Sequence, residues 1–192
     1  MIPIITAGGG EALPCEHFDS YADGHALTYF RGALPAFGGL VGRLSALPAV
    51  RSEVARSRAE HGKPAADDFK WRLTLNHYPT GAEQPRRVGF PWHRDLIANG
   101  AATMILNLGG PGMLEFGEEP GQEQPADGLL YPSDRAHVGS APVVPMEEVR
   151  LTDGDLLVLT GEARWRYLHR VLPSHIDDAS RCERVSLVWG VW

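Results

Sequence analysis

The stretch ERVSLVWGVW (183–192) alternates with a period of two, which is the period of a β-strand. One face of the predicted strand is wholly apolar and consists of Val185, Leu187, Trp189 and Val191. Because that face must pack against other elements, the opposite face points towards the interior of a barrel. This inner face carries Arg184, Ser186, Val188 and Gly190.

A second stretch, WRLTLNHYP (71–79), alternates in the same way and turns Asn76 and Tyr78 inward, opposite Leu73 and Leu75. Further strands are predicted at 26–30 (as an edge strand), at 102–110 and 113–117 (as a hairpin) and at 151–161. Helices are predicted at 37–47 and 49–61, and residues 118–147 are expected to form a long surface excursion. Strands that follow N-terminal helices predict an α+β fold with a double-stranded β-helix (jelly-roll) core and the helices packed on one sheet.

The bulk composition fits one soluble domain. A length of 192 residues suits a single core, with residues 1–70 as N-terminal helical support and 71–192 as the jelly-roll core. There is no apolar run of about 18 residues and no basic segment before an apolar stretch near the start, so a cytoplasmic protein without a membrane contact is predicted. Cys15 and Cys182 fit reduced thiols, and the net charge of −6 argues against a broad basic surface.

The inner faces of these two strands predict a ligand cavity. An unpaired guanidinium inside a barrel is very costly, so Arg184 needs an anion. The carboxylate of a bound cosubstrate would satisfy it through two parallel hydrogen bonds, and an internal Asp or Glu would serve as well. Asn76 and Tyr78 are expected to line the same cavity.

A metal site is predicted from three further residues. In a strand, residues two apart point the same way, so His93 and Asp95 of PWHRD (91–95) aim an imidazole and a carboxylate at a common point. This H-x-D pattern is weak by itself. His169, in EARWRYLHRV (162–171), would complete the two-histidine, one-carboxylate set of non-haem Fe(II) oxygenases. Zinc accepts the same ligands, so a hydrolase remains an alternative.

The motifs together resemble the AlkB family of Fe(II)/2-oxoglutarate dioxygenases over about residues 71–192. Asn76–Tyr78 is similar to the family's N-x-Y, and His93–Asp95 to its H-x-D. GDLLVLTGEARWRYLH (154–169) resembles the segment that ends in the distal iron-binding histidine, and RVSLVWG (184–190) resembles the closing R-x-[NS]-L-T-F-R. The family's second arginine in that last motif falls on Gly190.

The resemblance implies that Fe(II) is bound by His93, Asp95 and His169. It also implies that Arg184 and Tyr78 hold the far carboxylate of 2-oxoglutarate, with Asn76 and Ser186 lining the same pocket. The expected reaction consumes O₂ and 2-oxoglutarate, releases succinate and CO₂, and hydroxylates a substrate C–H bond. If that carbon is an N-methyl group, the net result is demethylation.

The substrate is expected to be a small molecule, an amino acid or a peptide. The predicted substrate pocket is rather apolar and consists of Trp92, Ile97, Met104 and Trp165. Nucleic acid is the alternative: six arginines could bind phosphate or form a solvated surface (Arg51, Arg56, Arg58, Arg86, Arg87 and Arg94). Against it, the family's base-contacting acidic residues fall on Ile97 and Ala98. A barrel that binds a metal or ligand without catalysis is a further alternative.

Two neighbours of the distal histidine, Glu162 and Arg164, are expected to orient it. The remaining histidines are interpreted as packed or surface residues: His17, His25, His61, His77, His137 and His175.

Overall fold

A computed structural model describes residues 15–21, 25–30, 35–65, 69–79, 88–120, 142–173 and 183–192. The strands in these ranges are β1 (Cys15–Tyr21), β2 (His25–Phe30), β3 (Trp71–Tyr78), β4 (Phe90–His93), β5 (Ala102–Gly109), β6 (Gly112–Glu118), β7 (Val144–Leu151), β8 (Leu156–Leu159), β9 (Leu168–Val171) and β10 (Arg184–Val191). The helices are α1 (Pro35–Ser45), α2 (Pro48–Glu60), α3 (Gly161–Trp165) and a short 3-10 helix (Ile97–Asn99). None of the described helices is long and apolar enough to cross a membrane.

The strands form two antiparallel sheets. The larger sheet has the order β1-β2-β3-β10-β5-β8, and the smaller has the order β4-β9-β6-β7. Strand β10 is central, and in its register Arg184 lies opposite Tyr78 of β3 while Ser186 lies opposite Asn76. The alternation that was read from the sequence therefore places these four side chains side by side on one face.

The two faces of the larger sheet have different partners. On one face, Leu73 and Trp189 pack against α1 and α2 through Val41, Val50 and Val54. On the other face, Tyr78 and Ile105 belong to a cluster that also contains Leu114, Phe116 and Val171 of the smaller sheet. The sheets therefore face each other, and the space between them is where polar inner-face residues meet.

Several predicted elements differ from the structure. The predicted hairpin at 102–117 is wrong, since β5 joins the larger sheet and β6 the smaller. The predicted excursion at 118–147 is wrong at its end, because 144–147 belong to β7, which pairs with β6; its residues 121–141 lie outside the described part. Strand β2 is paired on both sides and is not an edge. The predicted strand at 151–161 is shorter, since Leu151 ends β7.

The segment 1–70 was predicted as helical support, but it also contains strands. Strands β1 and β2 precede α1 and extend the larger sheet beyond β3. Helices α1 and α2 do pack on one sheet, as predicted. Cys182, His137, His175, Arg86 and Arg87 lie outside the described residues, as does the side chain of His17.

Candidate metal centre

His93, Asp95 and His169 come together between the two sheets. Their candidate ligand atoms all lie within 4.8 Å of one another. His93 ends β4 and lies directly opposite His169 of β9 in an antiparallel pair, with ring centroids 4.3 Å apart. Asp95 lies in the loop just after β4. The loop therefore brings its carboxylate to the two histidines, whereas the prediction had assumed the alternation of a strand.

The protonation of these groups suits a divalent cation. Burial lowers the pKa of His169 to about 3, with a smaller contribution from His93, and burial also lowers the pKa of His93. Burial opposes ionisation of Asp95, but the neighbouring His169 and Arg164 lower its pKa below the ordinary value. Two neutral imidazoles beside an ionised carboxylate are the forms in which these residues bind metals.

Two contacts support a metal in this position. His93 Nδ1 lies 2.8 Å from the carbonyl oxygen of Pro91, a contact that fixes the ring orientation and directs Nε2 to a ligand. Asp95 Oδ2 is buried without a hydrogen-bond partner among the described residues, and it lies 4.0 Å from His169 Nε2. A buried carboxylate oxygen normally has a partner, and a cation between these atoms would provide one.

Arg184 lies in the same cavity, of about 170 Å³, as the three candidate ligands. The side chain is 5% exposed, and its guanidinium carbon lies 4.3 Å from the centre of the Tyr78 ring. Burial lowers its pKa, partly offset by Tyr78. In the described part of the chain no carboxylate forms an ion pair with Arg184, so the alternative of an internal acidic partner finds no support there.

The neutral partner of Arg184 is Asn107, which sequence reasoning missed. Asn107 Oδ1 accepts a hydrogen bond from Arg184 Nε at 2.5 Å. Its Nδ2 donates to the carbonyl oxygens of Gly110 and Thr152, both at 3.0 Å, so the amide orientation is fixed. Gly112 leaves the guanidinium room, because a Cβ there would collide with it. The available signal was an inward polar residue opposite Ser186 in a mostly apolar strand.

Asn76 and Ser186 also line the cavity and lie within reach of each other. Asn76 Nδ2 donates to Ser186 Oγ at 3.5 Å, which is a weak contact. Asn76 Oδ1 is buried without a partner among the described residues. The four residues predicted around the cosubstrate therefore share one wall of one cavity.

The four residues predicted to form the substrate pocket do not line this cavity. Met104 and Trp165 are buried in the core against the helices, and Ile97 packs on the same cluster. Trp92 lies under the guanidinium of Arg170, at 4.6 Å from its ring centre. Beyond the residues already described, the lining contains Leu27, Tyr29, Thr74, Leu96 and Asn99.

His25 was interpreted as an ordinary packed histidine, yet it lies beside the site. Its ring stacks on Tyr78 with centroids 5.2 Å apart and contacts Phe90 at 4.5 Å. Nδ1 lies 3.1 Å from the carbonyl oxygen of Gly89. Burial lowers its pKa to about 4, opposed by the Gly89 carbonyl and assisted by His93 and Arg184. His25 is therefore a neutral support for the wall that carries Tyr78.

We expect His25 to make the metal-free protein less stable as the pH falls from 6.5 towards 4. The unfolded chain binds a proton on this ring near pH 6.5, but the folded protein binds it only near pH 4. The contribution of His25 to the free energy of unfolding is therefore complete above pH 6.5. It declines below that pH, by at most about 3 kcal/mol. Urea unfolding of the wild type and of His25→Phe across this range measures the effect. Parallel curves for the two proteins would contradict it.

No family model matches the chain, and no curated protein matches it. Similar solved structures include hydroquinone 1,2-dioxygenase PnpCD in complex with Cd2+ and 4-hydroxybenzonitrile (14% identity, TM-score 0.39, covering 64% of this chain and 58% of that one). Another is hydroquinone 1,2-dioxygenase from Sphingomonas sp. TTNP3 with 4-hydroxybenzoate bound (8% identity, TM-score 0.39, covering 65% of this chain and 60% of that one).

A third similar structure is OsALKBH1 (14% identity, TM-score 0.41, covering 96% of this chain and 83% of that one). The chain spans less than two thirds of the length of each of the two hydroquinone dioxygenase chains. Similarity at these TM-scores supports no conclusion about function. The functional case rests on the side chains of the cavity.

Proposed function

We propose that this protein is a non-haem Fe(II) dioxygenase that uses 2-oxoglutarate. The observation that carries the proposal is a single cavity that contains two neutral imidazoles, one carboxylate and a buried arginine. The first three groups are suited to Fe(II), and the arginine is suited to a carboxylate ligand.

We also propose that β3 to β10 form a double-stranded β-helix. The support is the strand order: β3-β10-β5-β8 in one sheet and β4-β9-β6-β7 in the other. Successive strands alternate between the sheets except at β6 to β7, as expected of two nested Greek keys. In this arrangement β4, the loop after it and β9 would carry the metal ligands on one wall, and β3 and β10 would carry the cosubstrate residues on the facing wall.

His93, Asp95 and His169 would hold the iron through one face of its coordination sphere. Iron bound there supplies the redox chemistry that couples decarboxylation of 2-oxoglutarate by O₂ to insertion of oxygen into a C–H bond. The protein's contribution is position and shelter. Because His93 and His169 are neutral and buried, they bind a cation without first losing protons, and the apolar lining from Ile105 and Leu114 excludes bulk water.

Arg184 would bind the far carboxylate of 2-oxoglutarate. Its Nε is already held by Asn107, which leaves the two terminal nitrogens as donors. A diacid that spans the cavity would neutralise this buried cation and place its other end near the metal. Tyr78, opposite Arg184 in the register, is the natural second donor to the same carboxylate.

For the substrate we propose a small molecule, an amino-acid side chain or a peptide. Among the arginines that could have formed a phosphate-binding patch, three are engaged or buried. Arg94 is paired with Glu119, Arg56 lies between Glu53 and Glu60, and Arg58 is buried. This argues against extended contacts with a nucleic-acid backbone through these residues. Oxidative demethylation of alkylated DNA or RNA bases is the second candidate.

The test is a turnover assay with Fe(II), ascorbate and 2-oxoglutarate. We expect O₂-dependent formation of succinate, even without substrate, and faster formation with a member of a metabolite and peptide panel. A methylated oligonucleotide tests the second candidate, and brisk demethylation of it would reverse our choice of substrate. Activity that persists without O₂ would indicate a zinc hydrolase. Metal binding without any succinate would indicate a non-catalytic barrel.

A further inference from the structure

Arg164 is a buried cation that holds the loop carrying Asp95. It lies in α3, is 1% exposed, and donates all of its described hydrogen bonds to backbone carbonyl oxygens. Nη1 bonds the carbonyl of Asp95 at 3.0 Å, and Nη2 bonds that of Leu96 at 2.8 Å. Nε and Nη2 both bond the carbonyl of Gly100, at 3.0 and 2.7 Å. One side chain thus ties both ends of the segment 95–100.

The same segment is fixed from its other side by β10. The amide of Ala101 donates to the carbonyl of Val191 at 2.7 Å. Gly190 lets the backbone of Asn99 approach so closely that a Cβ at position 190 would lie 1.1 Å from the Asn99 oxygen. The loop backbone fills the space where a side chain at 190 would stand. It is therefore held between the last strand and the Arg164 guanidinium.

The side chain of Arg164 is itself held by Trp165, on the side away from the loop. Its guanidinium lies over the ring of Trp165, with the carbon 4.3 Å from the ring centre. The indole of Trp165 donates to Glu53 of α2 at 2.9 Å. Asp95 and Glu53 are the charges that stabilise the cationic form of Arg164, while burial opposes it. A rigid support runs from α2 through α3 to the loop.

We propose that Arg164 is a positioning residue that places the Asp95 carboxylate against His93 and His169. The proposal rests on the proposed metal site. No acidic side chain in the described part of the chain is hydrogen-bonded to the Arg164 guanidinium, and such a buried cation is costly to fold. Its four bonds to backbone carbonyls are therefore best explained by the loop that they order. Asp95 follows its strand and has no ladder to hold it, whereas His93 and His169 are fixed by strand pairing. Outer groups of this kind typically set metal affinity by 10–100-fold.

The test measures Co(II) binding by its visible absorption bands in the full-length protein. We expect Arg164→Met to bind Co(II) about 10–100-fold more weakly than the wild type, and Arg164→Lys to fall between them. Arg166→Met is the matched control just after the same helix, because its side chain forms surface ion pairs with Glu118 and Glu162. Val41→Ala, a core substitution within α1, controls for lost stability.

A double-mutant comparison asks whether Arg164 acts through Asp95. In an Asp95→Ala background, Arg164→Met should weaken Co(II) binding no further, since the ligand it positions is absent. Equal Co(II) affinity and equal spectra for the wild type and Arg164→Met would overturn the inference while leaving the proposed metal site intact. If Arg164→Met does not fold, an unchanged affinity in Arg164→Lys overturns it in the same way. A wild type that binds no Co(II) would overturn the metal site as well.

Discussion

The His169→Ala variant is expected to lose metal binding and turnover together. His169 contributes one of three ligand atoms that lie within 4.8 Å of one another, and its removal leaves a histidine and a carboxylate that cannot form the three-ligand face. The wild type should be stabilised by Fe(II) under anaerobic conditions by about 2.7 kcal/mol when the metal is at 100 times its Kd. The variant should show no such stabilisation. Thermal unfolding with and without metal, followed by the succinate assay, measures both effects.

The matched control for this prediction is His61→Ala. His61 is also a packed histidine, with Nδ1 on the carbonyl of Ser57 and its ring against Trp165, but it lies outside the cavity. It should retain the metal-dependent stabilisation and the turnover. A His169→Ala protein that still binds Fe(II) and forms succinate would remove His169 from the ligand set and with it the proposed chemistry.

The strands that carry the site were predictable because their alternation is strict. In β10 every second residue is apolar and faces the helices, and in β3 Leu73 and Leu75 do the same, so the inward direction of Asn76, Tyr78, Arg184 and Ser186 followed from the pattern. Strand β5, in contrast, has apolar residues on both faces, since Met104 packs towards the helices while Ile105 lies on the cavity face with Thr103 and Asn107. An apolar side chain in this strand therefore did not reveal which face it occupies, and Met104, which was predicted for the substrate pocket, does not line the cavity.

Other errors arose where sequence order and pairing order differ. The glycines between β5 and β6 look like a hairpin turn, but the chain crosses there from one sheet to the other. Strand β7 looks like a loop because Pro145, Glu147 and Glu148 are exposed at a sheet edge, where proline and charge are tolerated. The three candidate metal ligands do lie together although one premise was wrong: Asp95 lies in the loop after β4, where Arg164 bonds its carbonyl oxygen, and not in a strand.

The Arg184→Gln variant is expected to need much more 2-oxoglutarate. Arg184 is the buried cation of the cavity wall, and its loss would leave the far carboxylate of the cosubstrate without its charge-assisted partner. Removal of one member of such a buried pair costs about 2–5 kcal/mol, so the KM for 2-oxoglutarate should rise by about 30-fold or more. Because the interaction is made in the ground state and the transition state alike, kcat should recover at saturating 2-oxoglutarate.

Arg184→Lys separates the effect of charge from that of geometry, and Arg72→Met is a control. Arg184→Lys keeps the positive charge but loses the planar pair of donors, and the Nε that Asn107 holds is gone as well, so its KM should lie between those of the wild type and Arg184→Gln. Arg72→Met removes an exposed arginine from the neighbouring strand β3 and should leave the KM unchanged. Steady-state kinetics at fixed Fe(II) distinguish the three. An unchanged KM in Arg184→Gln would show that the buried guanidinium does not bind 2-oxoglutarate. That result would contradict the proposed cosubstrate site and would leave the proposed metal site unaffected.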